Sequence, residues 1–283
     1  MPGSASSLMA LCDDDKLYIV KCANSSAGTN VLANEMLGAE LLRAAGLPTP
    51  NWKFVRFSST TLYEPADGVD ANNREHVGCG LHFGSELIEP SAGGRLYSFL
   101  PRCFFPRVLN RSDFIGALIF DIWAQSTDVR QAVFLEGRAS HLFNAHFIDQ
   151  GHLFGGPNWS TRPRPGASLC LERSMYADLM NNKLLHHWFS RIGTAAPTIV
   201  SSTIQAIPRD WYKGDIASLK GTLLGRLPWL EDLFWQELDG MKLPLRRSVI
   251  SSYEPTSVPT SRILRNRPGQ TRPSIGRSLL PVA

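Results

Sequence analysis

Lys21 closes the short apolar run Tyr18-Ile-Val, and Glu35 lies in the segment that follows. A strand lysine held by a helix glutamate orients an ammonium toward nucleotide phosphates. The same residues also fit a solvated strand-end lysine and an ordinary helix glutamate, because charged side chains are usually exposed. A second pair, Asp128 and Asp149, is separated by a stretch that reads as a loop and a hairpin. A hairpin returns its ends close together, so both carboxylates fit at one mouth. Phosphoryl transfer needs such a pair: one carboxylate positions an acceptor hydroxyl and the other holds magnesium on the phosphates. Two loop aspartates serve equally as turn formers or helix caps. A third stretch, Gly3-Ser-Ala-Ser-Ser7, is small enough to let backbone N–H groups approach a phosphate. It matches neither the Walker loop nor the GxGxxG pattern, and a frayed terminus has the same composition.

Other reactive residues carry less. In His146-Phe-Ile-Asp149-Gln-Gly-His152, His146 and Asp149 differ by an odd number and face opposite sides of a strand, against a shared metal. His186 and His187 point in different directions on a helix. The five cysteines are odd in number and contain no CxxC pair, so neither a disulfide framework nor a zinc knuckle is expected. The tryptophans 123, 159, 188, 211, 229 and 235 read as core or helix-packing aromatics.

The elements that must position these residues follow from periodicity. Leu8–Leu11 and Leu17–Lys21 read as a hairpin around Asp13-Asp-Asp15. In Val31–Ala45 the apolar residues 31, 32, 36, 37, 41, 42 and 45 mark one helical face, stopped by Gly46 with Pro48 and Pro50 beyond. Trp52–Phe57, Leu62–Tyr63 and Cys79–Leu87 read as strands. Ser112 is expected to cap a helix from Asp113 to about Gln125. Gln131–Leu135 and Leu142–Asp149 form a hairpin turned at Glu136-Gly-Arg138, and Gln150–Ala167 is a Gly- and Pro-rich loop. Helices are expected at Leu171–Leu179, Leu184–Arg191, Thr198–Ala206, Ile216–Leu224 and Trp229–Leu238. Beyond Pro244 the chain turns to Ser, Pro and Arg, a composition of disorder.

Charge is unevenly spread along the 283 residues. Arg246–Ala283 holds seven Arg and one Glu, or +6, so residues 1–245 carry −2 of the total +4. That distribution does not support a basic nucleic-acid-binding globule, and no separate DNA-reading motif is present, so direct nucleic-acid binding is not expected. No apolar run approaches the roughly 18–20 residues that span a bilayer, so no membrane partner is expected. The first positive charge is Lys16, so the basic start of a signal peptide is missing, and the cysteines read as buried or incidental thiols of a reducing cytoplasm.

In their order, Tyr18-Ile-Val-Lys21, Val31-Leu-Ala-Asn-Glu35 and Ala45-Gly-Leu-Pro48 resemble the N-terminal lobe of HipA-like kinases, and more specifically the short bacterial HipA-like kinase-domain proteins. Gly80-Leu-His-Phe-Gly-Ser85, Phe120-Asp-Ile-Trp123, Thr127-Asp128, Arg130-Gln-Ala-Val-Phe134 and Phe147-Ile-Asp149 through Gly151-His-Leu-Phe154 extend the likeness over about residues 3–240. The resemblance implies an α+β, two-lobed protein-kinase-like fold. A small mixed N-lobe would occupy 1–88, a mainly helical C-lobe 89–245, and a disordered basic tail 246–283. It implies ATP and Mg2+ as cofactors and transfer of the γ-phosphoryl group to a hydroxyl, with protein Ser or Thr as acceptor. By position it makes Lys21 the phosphate-contacting lysine and Glu35 its partner. It places Gly3 and Ser4 in a phosphate loop and Ser85 and Glu86 beside the adenine. Asp128 matches the catalytic aspartate and Asp149 the magnesium-binding one. Two departures stand out. The family's Asn-x-Asp loop reads Ser126-Thr127-Asp128 here, and Ser lacks the amide that would brace the loop or reach a metal. The family's downstream metal-binding Asn has Gln131 as its nearest counterpart, at a different spacing. These departures keep open the alternative of a pseudokinase, a nucleotide-binding or protein-interaction module.

Overall fold

The computed structural model describes residues 7–23, 30–57, 61–62, 76–90, 93–137, 141–160, 162–163, 166–170 and 172–240. The expected sites at Gly3 and Ser4, the tip of the second hairpin and the tail 246–283 lie outside the described residues. β1 (Ser7–Leu11) and β2 (Leu17–Lys21) form the first hairpin, with Ser7 opposite Lys21. β3 (Trp52–Phe57) and β6 (Gly80–Glu86) complete a four-stranded antiparallel sheet in the order β1-β2-β6-β3, while β4 (Thr61–Leu62) and β5 (His76–Val77) pair separately. Residues opposite each other in antiparallel strands share a face. Lys21 pairs with Phe83 and Ile19 with Ser85, so these four look to one side of the sheet. The alternate residues Tyr18 and Val20 look to the other, where they pack with Leu8, Cys22 and Val55 in a small second core.

α1 (Asn30–Ala45) lies against the Lys21 side. It is buried on nearly every side rather than on one face, and its polar residues Asn30, Asn34 and Glu35 are buried with the rest. A helix enclosed by other elements needs no solvent face, but each buried polar group then needs a partner. Below it, β7 (Arg95–Tyr97), β8 (Gln131–Glu136) and β9 (Phe143–Ile148) form a second antiparallel sheet. β7 was not expected from the sequence. α2 (Asp113–Trp123) packs beside it and is almost wholly buried. α3 (Asn182–Ala206), α4 (Ile216–Arg226) and α5 (Leu230–Gly240) complete the helical part. One large core joins α1 to the second sheet and these helices. Among the described residues no helix is long and apolar enough to cross a membrane.

Several local expectations are corrected. Ser112 does not cap α2: it is itself helical (φ −58°, ψ −25°) and makes no capping bond, because residues 110–112 already turn into the helix. The two helices expected at 184–191 and 198–206 are one 25-residue helix running through Pro197. A mid-helix proline deletes one backbone bond. Here the buried stripe Leu185, Trp188, Phe189, Ile192, Ala196, Val200 and Thr203 holds the axis on both sides of it. Of the helix expected at 171–179, the described residues 172–179 form only a 3-10 turn at Arg173–Tyr176. Trp229 is 57% exposed and is not a core residue.

Candidate active site

Lys21 ends β2 with its ammonium between two carboxylates. It donates to Glu35 Oε1 from α1 and to Asp149 Oδ1 at 2.6 Å. Only 13% of the Lys21 side chain and 5% of the Glu35 side chain are exposed, so the contact is an interior ion pair rather than a solvated strand end. Burial by itself would lower the lysine's pKa, but the charges of Glu35 and Asp149 outweigh it and hold Lys21 firmly protonated. Burial pushes Glu35 up from the usual carboxylate range, and Lys21 offsets this only in part. For Asp149 burial also acts upward, but the charge of Lys21 and its hydrogen bond win, leaving the carboxylate below its ordinary value. Its second oxygen, Oδ2, accepts from Gln131 Nε2 at 3.3 Å.

Asp149 sits just beyond β9 in a left-handed conformation (φ 60°), which turns the chain sharply out of the sheet. Gln131 opposite Ile148 fixes the register, so residues 128–130 and 149–150 leave the sheet side by side. Thr127 ties the two loops, with its backbone N–H and hydroxyl donating to the His152 carbonyl at 3.0 and 3.1 Å. Between the loops lies a buried polar knot. Arg130 grips both oxygens of Asp121 on α2 and donates to Gln150 Oε1 at 2.5 Å. Neither member of the ion pair reaches solvent to any useful extent. Burial pushes the Asp121 carboxyl up, while the Asp121 charge keeps Arg130 protonated against its own burial.

Ser126 has no amide to brace the loop as an asparagine would; its hydroxyl instead donates to the Asp128 carbonyl at 3.0 Å, and its backbone N–H to the Asp121 carbonyl at 2.9 Å. Asp128 Oδ1 accepts from the Val129 N–H at 2.8 Å. Ser85 and Glu86 end the central strand β6; Ser85 shares the Lys21 face, whereas the Glu86 carboxylate is engaged by Lys16 at 2.5 Å and Asn51 at 3.3 Å. A cleft of about 360 Å³ opens there between Leu17, Glu86, Leu87, Ile88 and, from β9, His146. By register His146 is on the face of Val133, Gln131 and Ile148, away from the buried Phe134, Ala145 and Phe147. Among the described residues no group of three or more His, Cys, Asp or Glu converges as a metal site.

The sequence reading missed three residues here. Asn34, Asp121 and Arg130 were seen within motifs but given no task. The signal was available: Asp121 interrupts the most apolar helix of the chain and Asn34 lies amid the apolar residues of α1, and a buried polar group without a partner is costly.

A small sheet with one enclosed helix over a second sheet and helices, with a lysine–glutamate pair facing a loop aspartate, is the architecture of a protein-kinase-like fold. Comparison with solved structures agrees. The chain is similar over 84% of its length to 66% of the chain of Shewanella oneidensis HipA, solved with HipB and operator DNA, at 11% identity and a TM-score of 0.52. It is also similar over 87% of its length to 94% of the Helicobacter pylori proinflammatory kinase CtkA, at 13% identity and a TM-score of 0.49. No curated protein sequence matches. Residues 2–143 match the model of the HipA-like kinase family, and the chain belongs to that family.

Proposed function

We propose that the protein is an ATP- and Mg2+-dependent phosphotransferase that moves the γ-phosphoryl group to a hydroxyl, with a protein Ser or Thr as acceptor. The observation that carries this reading is Lys21 bonded at once to Glu35 and Asp149, which puts a fixed positive charge beside a carboxylate that stays ionised. Lys21 would meet the nucleotide phosphates, with Glu35 holding its ammonium in place beside Asp149. The cleft by Ser85–Ile88 has the size and partly apolar lining of a base pocket. Asp128 would accept the proton of the attacking hydroxyl as that oxygen bonds to the γ-phosphorus and the bond to the β-phosphate oxygen breaks.

Magnesium fits the residues present. It is usually held by one or two protein oxygens, with phosphates and water supplying the rest. Asp149 would be the principal donor, and Gln131 would join it only by turning its side-chain oxygen toward the ion, since its amide nitrogen donates to Asp149 Oδ2. When bound, the ion would neutralise charge on the phosphates during transfer.

The test is incubation with γ-labelled ATP and Mg2+. Wild type should incorporate label, and Asp149→Ala should not. Asp128→Asn should lower transfer roughly 100-fold or more while ATP binding persists. Label on Asp149→Ala equal to wild type would sink the proposal. The pseudokinase reading is favoured by one observation, that Gln131 points its amide nitrogen at Asp149 where the family has an asparagine at another spacing. It predicts a Mg2+-dependent thermal shift with ATP and no transfer.

A further inference from the structure

We infer that Asn34 is a positioning residue that locks α1 to the segment after Asp149, so that Glu35 and Asp149 are held as one unit; the metal-related part rests on the kinase reading above. Asn34 is fully buried. Its Nδ2 donates to three carbonyls, Gly151 at 2.8 Å, Leu153 at 3.0 Å and Gly156 at 3.3 Å, and its Oδ1 accepts from Trp159 Nε1 at 2.7 Å. One side chain on α1 therefore gathers four points of the chain between 151 and 159. That segment has little regular structure of its own to hold it. It contains left-handed residues at Phe154 (φ 59°) and Trp159 (φ 54°), as well as at Gly155 and Gly156. Bends of this kind persist only where the surroundings over-determine them.

The packing leaves little play around the clamp. A Cβ on Gly38 would come within 2.6 Å of Leu153 Cδ1 and 2.7 Å of Gln150 Cβ. A Cβ on Gly151 would meet Val31 Cγ1 at 2.8 Å and Glu35 Oε1 at 3.2 Å. Helix and segment thus touch at backbone distance directly beside the Lys21–Glu35–Asp149 cluster. The far end of the clamp is anchored too: Trp159 stacks on Tyr212 (centroids 5.9 Å apart), and Asn30 Oδ1 accepts from the Lys213 N–H at 2.7 Å. Asn34 is adjacent to Glu35 in sequence and touches neither Lys21 nor the Asp149 carboxylate by any of these bonds. It acts through the backbone it holds.

Two variants of the full chain separate positioning from simple stability. Asn34→Asp keeps the acceptor for Trp159 but removes the amide donors from the three carbonyls. Trp159→Phe keeps a ring over Tyr212 and removes only the donor to Asn34. Amide hydrogen exchange is read at Leu153, Gly155 and Gly156, whose N–H groups donate to the carbonyls of Gln150, Gln125 and Leu153. The Mg2+ concentration giving half of the ATP-induced thermal shift is read in parallel. Leu223→Ala, in α4, serves as a control destabilised elsewhere.

Both variants should speed exchange at 153–156 selectively. Each should also raise the Mg2+ requirement, by about tenfold or more for Asn34→Asp, the range seen when groups supporting metal ligands are removed. The control should do neither. If both variants merely melt earlier, with exchange and Mg2+ requirement moving no more than in the control, the positioning role is overturned. If wild-type protein shows no Mg2+-dependent shift with ATP, the kinase reading fails together with the metal-related part, and the exchange data still decide whether Asn34 is the clamp.

Discussion

At the residue scale the decisive feature is an ammonium shared by two carboxylates in a nearly closed space. Such a cluster is worth little as a source of stability, since desolvation offsets much of the attraction, yet breaking it from one side is costly. Lys21→Met should therefore abolish transfer and also destabilise, by about 3 kcal/mol, because Glu35 is left buried beside Asp149 without its counter-charge. Adding Glu35→Gln should recover much of that stability and none of the activity. Thermal melts and labelling on the two proteins check both halves; equal melting of Lys21→Met and wild type would mean that the glutamate simply takes up a proton. His82 makes a separate prediction. It is buried, accepts from the Ala23 N–H at 3.1 Å through Nδ1 and contacts the Gly78 carbonyl at 3.0 Å through Nε2. Burial, the larger influence, lowers its pKa below 6.5. The unfolded chain then binds the proton that the folded chain refuses, so stability is full above pH 6.5 and declines as pH falls below it. Melting temperature should drop between pH 7 and pH 5, and His82→Gln should flatten part of that slope. His146, also lowered by burial, accounts for a further share.

At the scale of elements, the polar knot between α2 and the two loops is the part that fixes where Asp128 and Asp149 stand. Arg130 bonds Asp121 through a fork, which lysine cannot reproduce. Arg130→Lys should lower transfer more than it lowers nucleotide affinity, and Arg130→Met should destabilise by about 3–5 kcal/mol, leaving Asp121 buried alone. Denaturant melts with transfer and ATP-binding assays on both variants check this; Arg130→Met melting at the wild-type midpoint would sink it. How much of this was legible in the sequence depends on range. The two hairpins and α1 appeared at nearly their observed bounds, because alternation and helical periodicity are local signals. Spacing suggested two separate pairs, Lys21 with Glu35 and Asp128 with Asp149, and left open the solvated lysine and the turn-forming aspartates; the meeting of Lys21, Glu35 and Asp149 depends on sheet register and on α1 packing. The misses have physical causes. Two helices were expected at 184–191 and 198–206; Pro197 falls in the gap between them, and the packed stripe of α3 carries one helix across it. β7 is three residues long with no alternation to speak of, and it exists because β8 offers an edge. The caps at Asn181 and Asp215 accept the helix N–H groups that Ser112 does not, since only they sit in an extended conformation ahead of their helices.

At the scale of the whole molecule, the charge asymmetry separates a body from an extension. Among the described residues, both cores lie between Leu8 and Leu238. Residues 1–245 carry −2, obtained as the total of +4 less the +6 of Arg246–Ala283. A chain ending at residue 245 should therefore melt within about 2 °C of the full chain, a shift well below that of one ordinary core defect. Its net charge should change sign, moving it from a cation to an anion exchanger near neutral pH. Transfer to an added acceptor should survive, since the Lys21 cluster and the Arg130 knot are intact. Self-labelling is the discriminating measurement, because the removed segment is rich in Ser and Thr. If self-labelling disappears while transfer to the added acceptor continues, the phosphoacceptor lies beyond residue 245 and the extension is a substrate of the body. If melting instead falls by more than about 5 °C, the extension contributes to the fold and the division into body and extension is wrong.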